Sequence, residues 1–298
     1  MTITKRLRAL LSAAVAIAVV GALQASPSFS QGKTSIARLS SDTHFHGIAV
    51  DPADSTRIYL ATHHGLYLMG TDGKAQLISE VRDYMGFTAH PTDAAVLFAS
   101  GHPAGGGNLG FITSKDGGRT WTKLSNGIGG PVDFHQMDVS KADPNVIYGV
   151  YDTLQRSADG GKTWKSMGAP PAGIISLAAS SVDANTLYAA TQSGIQRSTD
   201  GGKTWKRQSD QTATMVHVTH DGAVYAFMVG AGLVRATENN LAWRVLGKGF
   251  GENYLLHFAA DPRDPKQLYA VTFNSKTRMQ NVIASRDGAE RWMPVGAE

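Results

Sequence analysis

The chain has 298 residues, no cysteine, and 28 lysines and arginines against 24 acidic residues. This length suits two small domains or one large β-domain, because barrels and propellers of this size form single units. The lack of cysteine excludes disulfides and thiolate metal sites, so the fold must depend on core packing and paired strands. The small excess of positive charge is too weak to indicate a nucleic-acid-binding surface, so we expect no nucleic-acid partner.

Residues 1–30 have the pattern of a secretory signal peptide. A basic head with Lys5, Arg6 and Arg8 precedes an apolar run over 9–23, and small residues suited to cleavage follow. We therefore expect a periplasmic or secreted protein. The apolar run is short for a permanent span, so we expect no membrane span once the leader is removed; an uncleaved anchor is the alternative. Removal takes away three of the 28 basic residues and leaves 25 against 24 acidic ones.

One motif recurs through the rest of the chain. Three near-identical copies read SKDGGRTW, SADGGKTW and STDGGKTW, a worn copy reads SRDGAERW, and two more are degenerate. In such a motif the aspartate hydrogen-bonds a tight turn, glycine supplies positive φ, and tryptophan packs at the start of the next strand. The anchors recur every 38 to 49 residues, which is the period of a propeller blade. They lie at positions 72, 116, 159, 200, 238 and 287.

These motifs resemble the Asp-box, or bacterial neuraminidase repeat, which lies between the third and fourth strands of a propeller blade. Short alternating segments with Asp-Pro, Asp-Gly and Gly-Gly turns precede each copy, about four strands per repeat. We therefore predict an all-β, six-bladed β-propeller that occupies 31–298 as a single domain. The segment TSIARL, at 34–39, is a candidate for an extra strand at the ring closure. Asp-boxes lie away from the active face, so they indicate architecture rather than chemistry.

Histidines and methionines recur at two points of the first three blades. The first strand of a blade lines the channel and the second runs antiparallel to it, so the start of one and the end of the other meet at one mouth. Alignment of the first strands puts His46, Met85 and His135 at equivalent positions, and His217 and His257 extend the set in later blades. The residues predicted to gather at the mouth are His44, His46, His63, His64, Met85, His102, His135 and Met137.

This set favours a transition-metal site. Imidazole suits copper, zinc, iron and nickel, whereas thioether selects Cu(I). We therefore expect copper binding by the histidines, with Met85 or Met137 as soft ligands, in copper handling or tolerance; zinc is the alternative metal. A single strand histidine is more often a packed or hydrogen-bonded residue, so the hypothesis depends on the convergence of the set. A monomer is expected, with a periplasmic protein as a candidate partner.

Two other functions stay open. Families with Asp-boxes include sialidases, other glycosidases, sortilin-type receptors and photosystem assembly factors. A sialidase holds a carboxylate with three arginines, and the inner strands here almost lack arginine. A carbohydrate-active hydrolase would use same-face carboxylates, for which Asp133 and Glu252 are the candidates, with Asp83 and Asp152 also on that face. The third hypothesis is a metal-free scaffold that binds a protein or peptide across the disc.

The segments HFHGIAVDP, ATHHGLYL, YMGFTAHP and VDFHQM closely resemble an exported bacterial family of Asp-box propellers that is termed glycosylhydrolase-like. The resemblance spans blades one to three and becomes generic in blades four to six. It implies a propeller fold and export. The hydrolase term follows from the Asp-boxes rather than from catalytic residues, so the resemblance implies no activity.

Overall fold

Six antiparallel sheets form a ring in the computed structural model, which describes residues 32–296. The innermost strand of every sheet lines a central channel. The predicted six-bladed β-propeller is therefore confirmed, and the predicted signal peptide at 1–30 lies outside the described residues. Within 32–296 no helix is long and apolar enough to cross a membrane.

Each blade takes its four main strands in chain order from the channel outwards. Blade one adds a short outer strand and a helix. It contains β1 (Thr34–Ser35), α1 (Ile36–Asp42), β2 (Phe45–Val50), β3 (Ile58–Thr62), β4 (Gly65–Met69) and β5 (Lys74–Leu77). Blade two contains β6 (Asp83–Ala89), β7 (Leu97–His102), β8 (Phe111–Ser114) and β9 (Thr122–Ser125). Blade three contains β10 (Gln136–Val139), β11 (Ile147–Tyr151), β12 (Thr153–Ser157) and β13 (Lys165–Gly168).

The last three blades repeat the pattern without additions. Blade four contains β14 (Ile174–Ala179), β15 (Leu187–Thr191), β16 (Gly194–Ser198) and β17 (Lys206–Arg207). Blade five contains β18 (Ala213–Val218), β19 (Ala223–Met228), β20 (Gly232–Thr237) and β21 (Asn240–Gly247). Blade six contains β22 (Asn253–Ala260), β23 (Leu268–Asn274), β24 (Gln280–Ser285) and β25 (Met293–Pro294).

The repeated motif forms the turn between the third and fourth strands, as predicted. In blade three the Ser157 hydroxyl donates to Asp159 Oδ1 at 2.8 Å, and the Thr163 hydroxyl donates to Asp159 Oδ2 at 2.6 Å. The hydrogen bond from Thr163, joined by backbone N–H donors, lowers the pKa of Asp159 to about 2. Gly161 has a φ of +89° and lies against the Phe111 ring, so no side chain fits there.

The tryptophan of the motif joins neighbouring blades. The Trp164 ring lies 5.2 Å from the ring of Phe111 in blade two and 5.0 Å from that of Phe134. Its indole N–H donates to Ser125 Oγ, also in blade two, at 2.8 Å. The repeated turn within one blade therefore also fixes the packing of that blade against the one before it.

The segment before the first blade is only partly a strand. Thr34 and Ser35 pair with β5, which makes β1 a fifth strand of blade one. The chain then turns into α1, because Ser35 caps the helix by accepting from the Arg38 N–H at 3.2 Å. Ile36 and Leu39, three residues apart, are both buried on one side of this helix. That spacing is helical, which explains why the extra strand stops after two residues.

The ring closes through side chains rather than a shared sheet. Blades one and six each consist of contiguous strands. Across their junction the buried side-chain oxygen Oε1 of Gln280 accepts from the Phe45 N–H at 2.6 Å. Ile36 and Leu39 of α1 join the same hydrophobic cluster as Val282 of blade six. Helix α1 therefore covers the seam between the first and last blades.

Replacement of the Asp-box tryptophan is expected to loosen the contact between blades two and three. Trp164→Ala should lower the free energy of unfolding by about 3 kcal/mol, because the ring leaves a cavity against two phenylalanines. Urea unfolding measures this. The control is Val182→Ala, whose side chain is 61% exposed and should change stability little. Equal stability of the two variants would contradict the predicted role.

The hydrogen bond at the ring closure gives a second prediction. Gln280→Ala leaves the buried N–H of Phe45 without an acceptor, so the free energy of unfolding should fall by about 1–3 kcal/mol. The neighbouring Met279 is 40% exposed, and Met279→Ala is the matched control. Urea unfolding of both variants checks the prediction, and a Gln280→Ala variant as stable as the control would refute it.

Candidate metal centre

His46 occupies an irregular position at the start of the first inner strand. Phe45 pairs with Thr62 and Gly47 pairs with Ala61, so His46 is the extra residue of a β-bulge. Its side chain lines the central channel, a cavity of about 330 Å³. His63 follows the end of β3, and the antiparallel pairing brings its ring to the same mouth. The Nε2 atom of His46 lies 3.1 Å from Nε2 and 3.2 Å from Nδ1 of His63.

Asp83 completes a cluster with these two histidines. It begins β6 in the next blade, and its Oδ2 lies 2.8 Å from Nδ1 of His63. Its other oxygen, Oδ1, lies 3.9 Å from Nε2 of His46. The donor atoms of the three side chains all lie within 4.8 Å of one another. Asp83 Oδ1 is buried and finds no hydrogen-bond partner among the described residues, which marks a position that a water or an ion would fill.

The tautomer of His63 follows from its neighbours. Nδ1 faces a carboxylate, which only accepts, so the neutral tautomer that fits here carries its hydrogen on Nδ1 and its lone pair on Nε2. A histidine held by a carboxylate in this way is the usual arrangement around a metal ion. Two nitrogens bound at 2.0–2.1 Å to a tetrahedral ion lie about 3.3 Å apart. The 3.1 Å between the two Nε2 atoms is close to that separation.

The electrostatic surroundings keep His46 neutral. Burial, followed by the neighbouring rings of His63, His257 and His135, lowers the pKa of His46 to about 3. A neutral imidazole offers its lone pair without first losing a proton, which favours metal binding at neutral pH. His257 also lies at this mouth, where it hydrogen-bonds the Phe45 backbone.

A second group of histidines lies one blade further round the ring. Nε2 of His102 lies 3.0 Å from Asp133 Oδ2, and Nε2 of His135 lies 2.7 Å from the same oxygen. The hydrogen bond with Asp133 raises the pKa of His135, to which the charge of Asp83 also contributes. The loop that carries Gly107 reaches over His102, and the Gly107 carbonyl accepts from Nδ1 at 2.8 Å.

Two of the other predicted histidines have different positions. The exposed ring of His44 lies 5.6 Å from the ring of His63, at the edge of the first cluster. His64 is exposed and points away from that cluster into a separate surface pocket with Leu39 and Tyr67. The structure therefore joins His46 and His63, places His44 beside them, and separates His64 from the group.

The predicted methionine ligands do not join the histidines. Met85 pairs with Ser100, and the bulge of its strand falls after it rather than at it as in His46. Its side chain is buried and does not line the channel. Met137 does line the channel, but it is buried in a hydrophobic cluster with Phe134. The sequence alignment of the first strands missed this shift in the bulge.

His217 also departs from the expected position. It lines the channel near Lys141, Asp138 and His220, two residues before the turn that ends its strand. Burial, with a smaller effect of Lys141, lowers the pKa of His217 to about 3. It belongs to the opposite half of the channel from His46.

The two candidate catalytic carboxylates have unlike surroundings. Asp133 is buried and held by His102 and His135. Glu252 is exposed, and it pairs with Lys276 at 3.0 Å and with the Ser275 hydroxyl at 3.0 Å. Neither lines the central channel.

Sequence reasoning treated Asp83 only as a catalytic carboxylate and missed its contact with His63. The position of Asp83 in its blade could have indicated this contact. Asp83 and Asp133 each stand seven residues before the first residue after the inner strand, which is His90 in blade two and Ser140 in blade three. Each therefore meets the histidine that ends the second strand of the preceding blade.

The comparisons with known proteins agree with the repeat. The BNR/Asp-box repeat family matches residues 196–207, which span the turn between β16 and β17. Four of the six blades have this turn, at Asp116, Asp159, Asp200 and Asp287, where the aspartate accepts from the preceding serine hydroxyl and from backbone N–H groups. The chain is a six-bladed β-propeller with Asp-box turns. No curated protein sequence matches this propeller.

Two solved GH74 structures share the fold of this propeller. The GH74 xyloglucanase from Xanthomonas campestris has a TM-score of 0.54 and 20% identity, over 85% of this chain and 45% of the other. The GH74 enzyme from Niastella koreensis has a TM-score of 0.56 and 16% identity, with the same coverage of both chains. YCF48 from Cyanidioschyzon merolae has a TM-score of 0.49 and 15% identity, over 85% of this chain and 84% of the other. The propeller thus spans less than half the length of these two GH74 chains, and the likeness shows the fold alone.

The low pKa of His46 predicts a pH-dependent stability of the metal-free protein. The unfolded chain protonates this ring near pH 6.5 and the folded protein only near pH 3, so the unfolded state binds more protons in between. Stability should therefore fall as the pH drops from 7.5 to 5, with about 2 kcal/mol of the fall due to His46. Urea unfolding of the wild type and of His46→Gln at both pH values measures it. An equally steep fall in the variant would contradict the prediction.

Proposed function

We propose that this Asp-box propeller binds a transition-metal ion through His46, His63 and Asp83. The proposal rests on the convergence of three donor atoms within 4.8 Å, together with the buried Oδ1 of Asp83, which has no hydrogen-bond partner within residues 32–296. Neutral imidazoles and a carboxylate are ordinary ligands of such ions. The side chains come from two blades, so an ion here would also join them.

Copper in its divalent state is the ion that we propose, with zinc as the alternative. The cluster offers two nitrogens and an oxygen, and the methionines that would favour Cu(I) lie elsewhere. Among divalent ions, sites with nitrogen and oxygen ligands bind Cu(II) most tightly. The side chain of His63 is 41% exposed, so an ion can arrive from and leave to solvent.

This accessibility favours a role in copper handling or tolerance over a buried structural site. The leader pattern at 1–30 supports a location in the periplasm or outside the cell, where a partner protein would deliver or receive the ion. The carbohydrate hydrolase stays the second candidate, and its support is the fold shared with the GH74 chains. The test of that candidate is turnover of xyloglucan by the wild type and by Asp133→Asn.

Metal content of neighbouring histidine variants tests the proposed site. Untagged protein is stripped with a chelator, exposed to Cu(II) or Zn(II), desalted and measured by mass spectrometry. His63→Ala should lose the ion bound at the cluster, because one of its two nitrogens is gone. His64→Ala is the matched control, since it removes the adjacent exposed imidazole that points elsewhere.

The wild type and His64→Ala should therefore retain equal amounts of metal, and His63→Ala should retain less by one ion per chain. Equal retention in all three proteins would show that the cluster binds no ion. Circular dichroism of the metal-free variants confirms that each one is folded.

A further inference from the structure

We propose that a second metal site, formed by His102, Asp133 and His135, lies one blade beyond the first. The inference extends the chemistry of the proposed function, and it predicts that the propeller binds two ions rather than one.

The two sites repeat the same positions of the blade. His63 and His102 each follow or end the second strand, and each contacts the aspartate at the start of the next blade. Asp83 and His102 are direct partners in the pairing of β6 with β7. Blade two therefore contributes one ligand to each site, and the sites lie side by side at the channel mouth.

The second nitrogen of His102 faces a carboxylate oxygen. Nδ1 contacts the Gly107 carbonyl, which only accepts, so Nδ1 carries the hydrogen. Its other nitrogen, Nε2, lies 3.0 Å from Asp133 Oδ2. Either a proton on Nε2 or a metal ion between the two atoms makes this contact favourable, so a metal ion would compete with the proton for this position. A metal ion would satisfy the nitrogen and the oxygen together.

Asp133 supplies an independent observation. Its side chain is only 5% exposed, and its Oδ1 is buried without a hydrogen-bond partner among residues 32–296. A buried carboxyl oxygen without a partner is unfavourable. Asp83 Oδ1 in the first site is the same atom in the same condition. Each of the two clusters therefore contains histidines and an aspartate oxygen, Oδ1, that has no partner.

The second site is less preorganised than the first. Among the described residues, only the cluster of His46, His63 and Asp83 has three donor atoms within 4.8 Å of one another. His102 and His135 instead contact Asp133 Oδ2 separately, and the side chain of His135 is 55% exposed. The His135 ring has room to turn towards an ion. We therefore expect the second ion to bind more weakly than the first.

The experiment is a Cu(II) titration of the metal-free, untagged chain, followed by calorimetry and by equilibrium dialysis. The wild type should bind two ions per chain in two steps of different affinity. His102→Ala should bind one ion and lose the weaker step, and His63→Ala should bind one ion and lose the stronger step. His64→Ala is again the control and should bind two. Asp133→Asn should bind one ion. If the melting temperature of Asp133→Asn differs from that of the wild type, His135→Ala tests the same site and should also lose the weaker step.

The outcomes separate the two proposals. One ion in the wild type that His63→Ala removes and His102→Ala leaves would overturn the second site and support the first. One ion that His102→Ala removes and His63→Ala leaves would support the second site and overturn the first. One ion that both variants remove would indicate a single shared site and overturn the second as a separate site. No bound ion would overturn both.

Discussion

The antiparallel pairing of the two inner strands of each blade determines where the chemistry of this protein lies. When Phe45 pairs with Thr62, the residues just before and just after those strands must meet at one mouth of the channel. The ring then places the start of the next inner strand, at Asp83, beside the same point. Residues distant in sequence thus converge without any loop that is built for the purpose.

The fold was largely predictable because its signal is repeated. The Asp-box turn depends on local hydrogen bonds between Ser157, Asp159 and Thr163, and local interactions leave a fixed spacing in the sequence. The helix α1 was not predicted, because a seven-residue segment with two buried side chains has too little periodicity to oppose a strand.

The candidate site was only partly predictable. The meeting of His46 with His63 follows from strand direction alone, and the sequence indicated it. The place of Met85 depends on where a bulge falls in β6, and a shift of one residue turns a side chain to the other face. No property of the single sequence determines that position. The role of Asp83 depends on packing between blades, which appears only when the ring is formed.

The asymmetry of the mouth contrasts with the symmetry of the ring. The positions of His63 and His102 are occupied by Gln192 in blade four and by Phe273 in blade six. Polar ligands therefore concentrate on one half of the disc, and the other half keeps uncharged side chains at the same points.

The seam of the ring has a consequence for how such a chain can be rearranged. Ile36 N–H donates to the Gly73 carbonyl, and Gly296 lies directly against Gly73. The two ends of the described chain thus meet at one hairpin, and every blade is a contiguous stretch. A circular permutant, joined at this hairpin and opened between two other blades, would keep all six sheets intact. The order of the blades along the gene is therefore separable from their order around the ring.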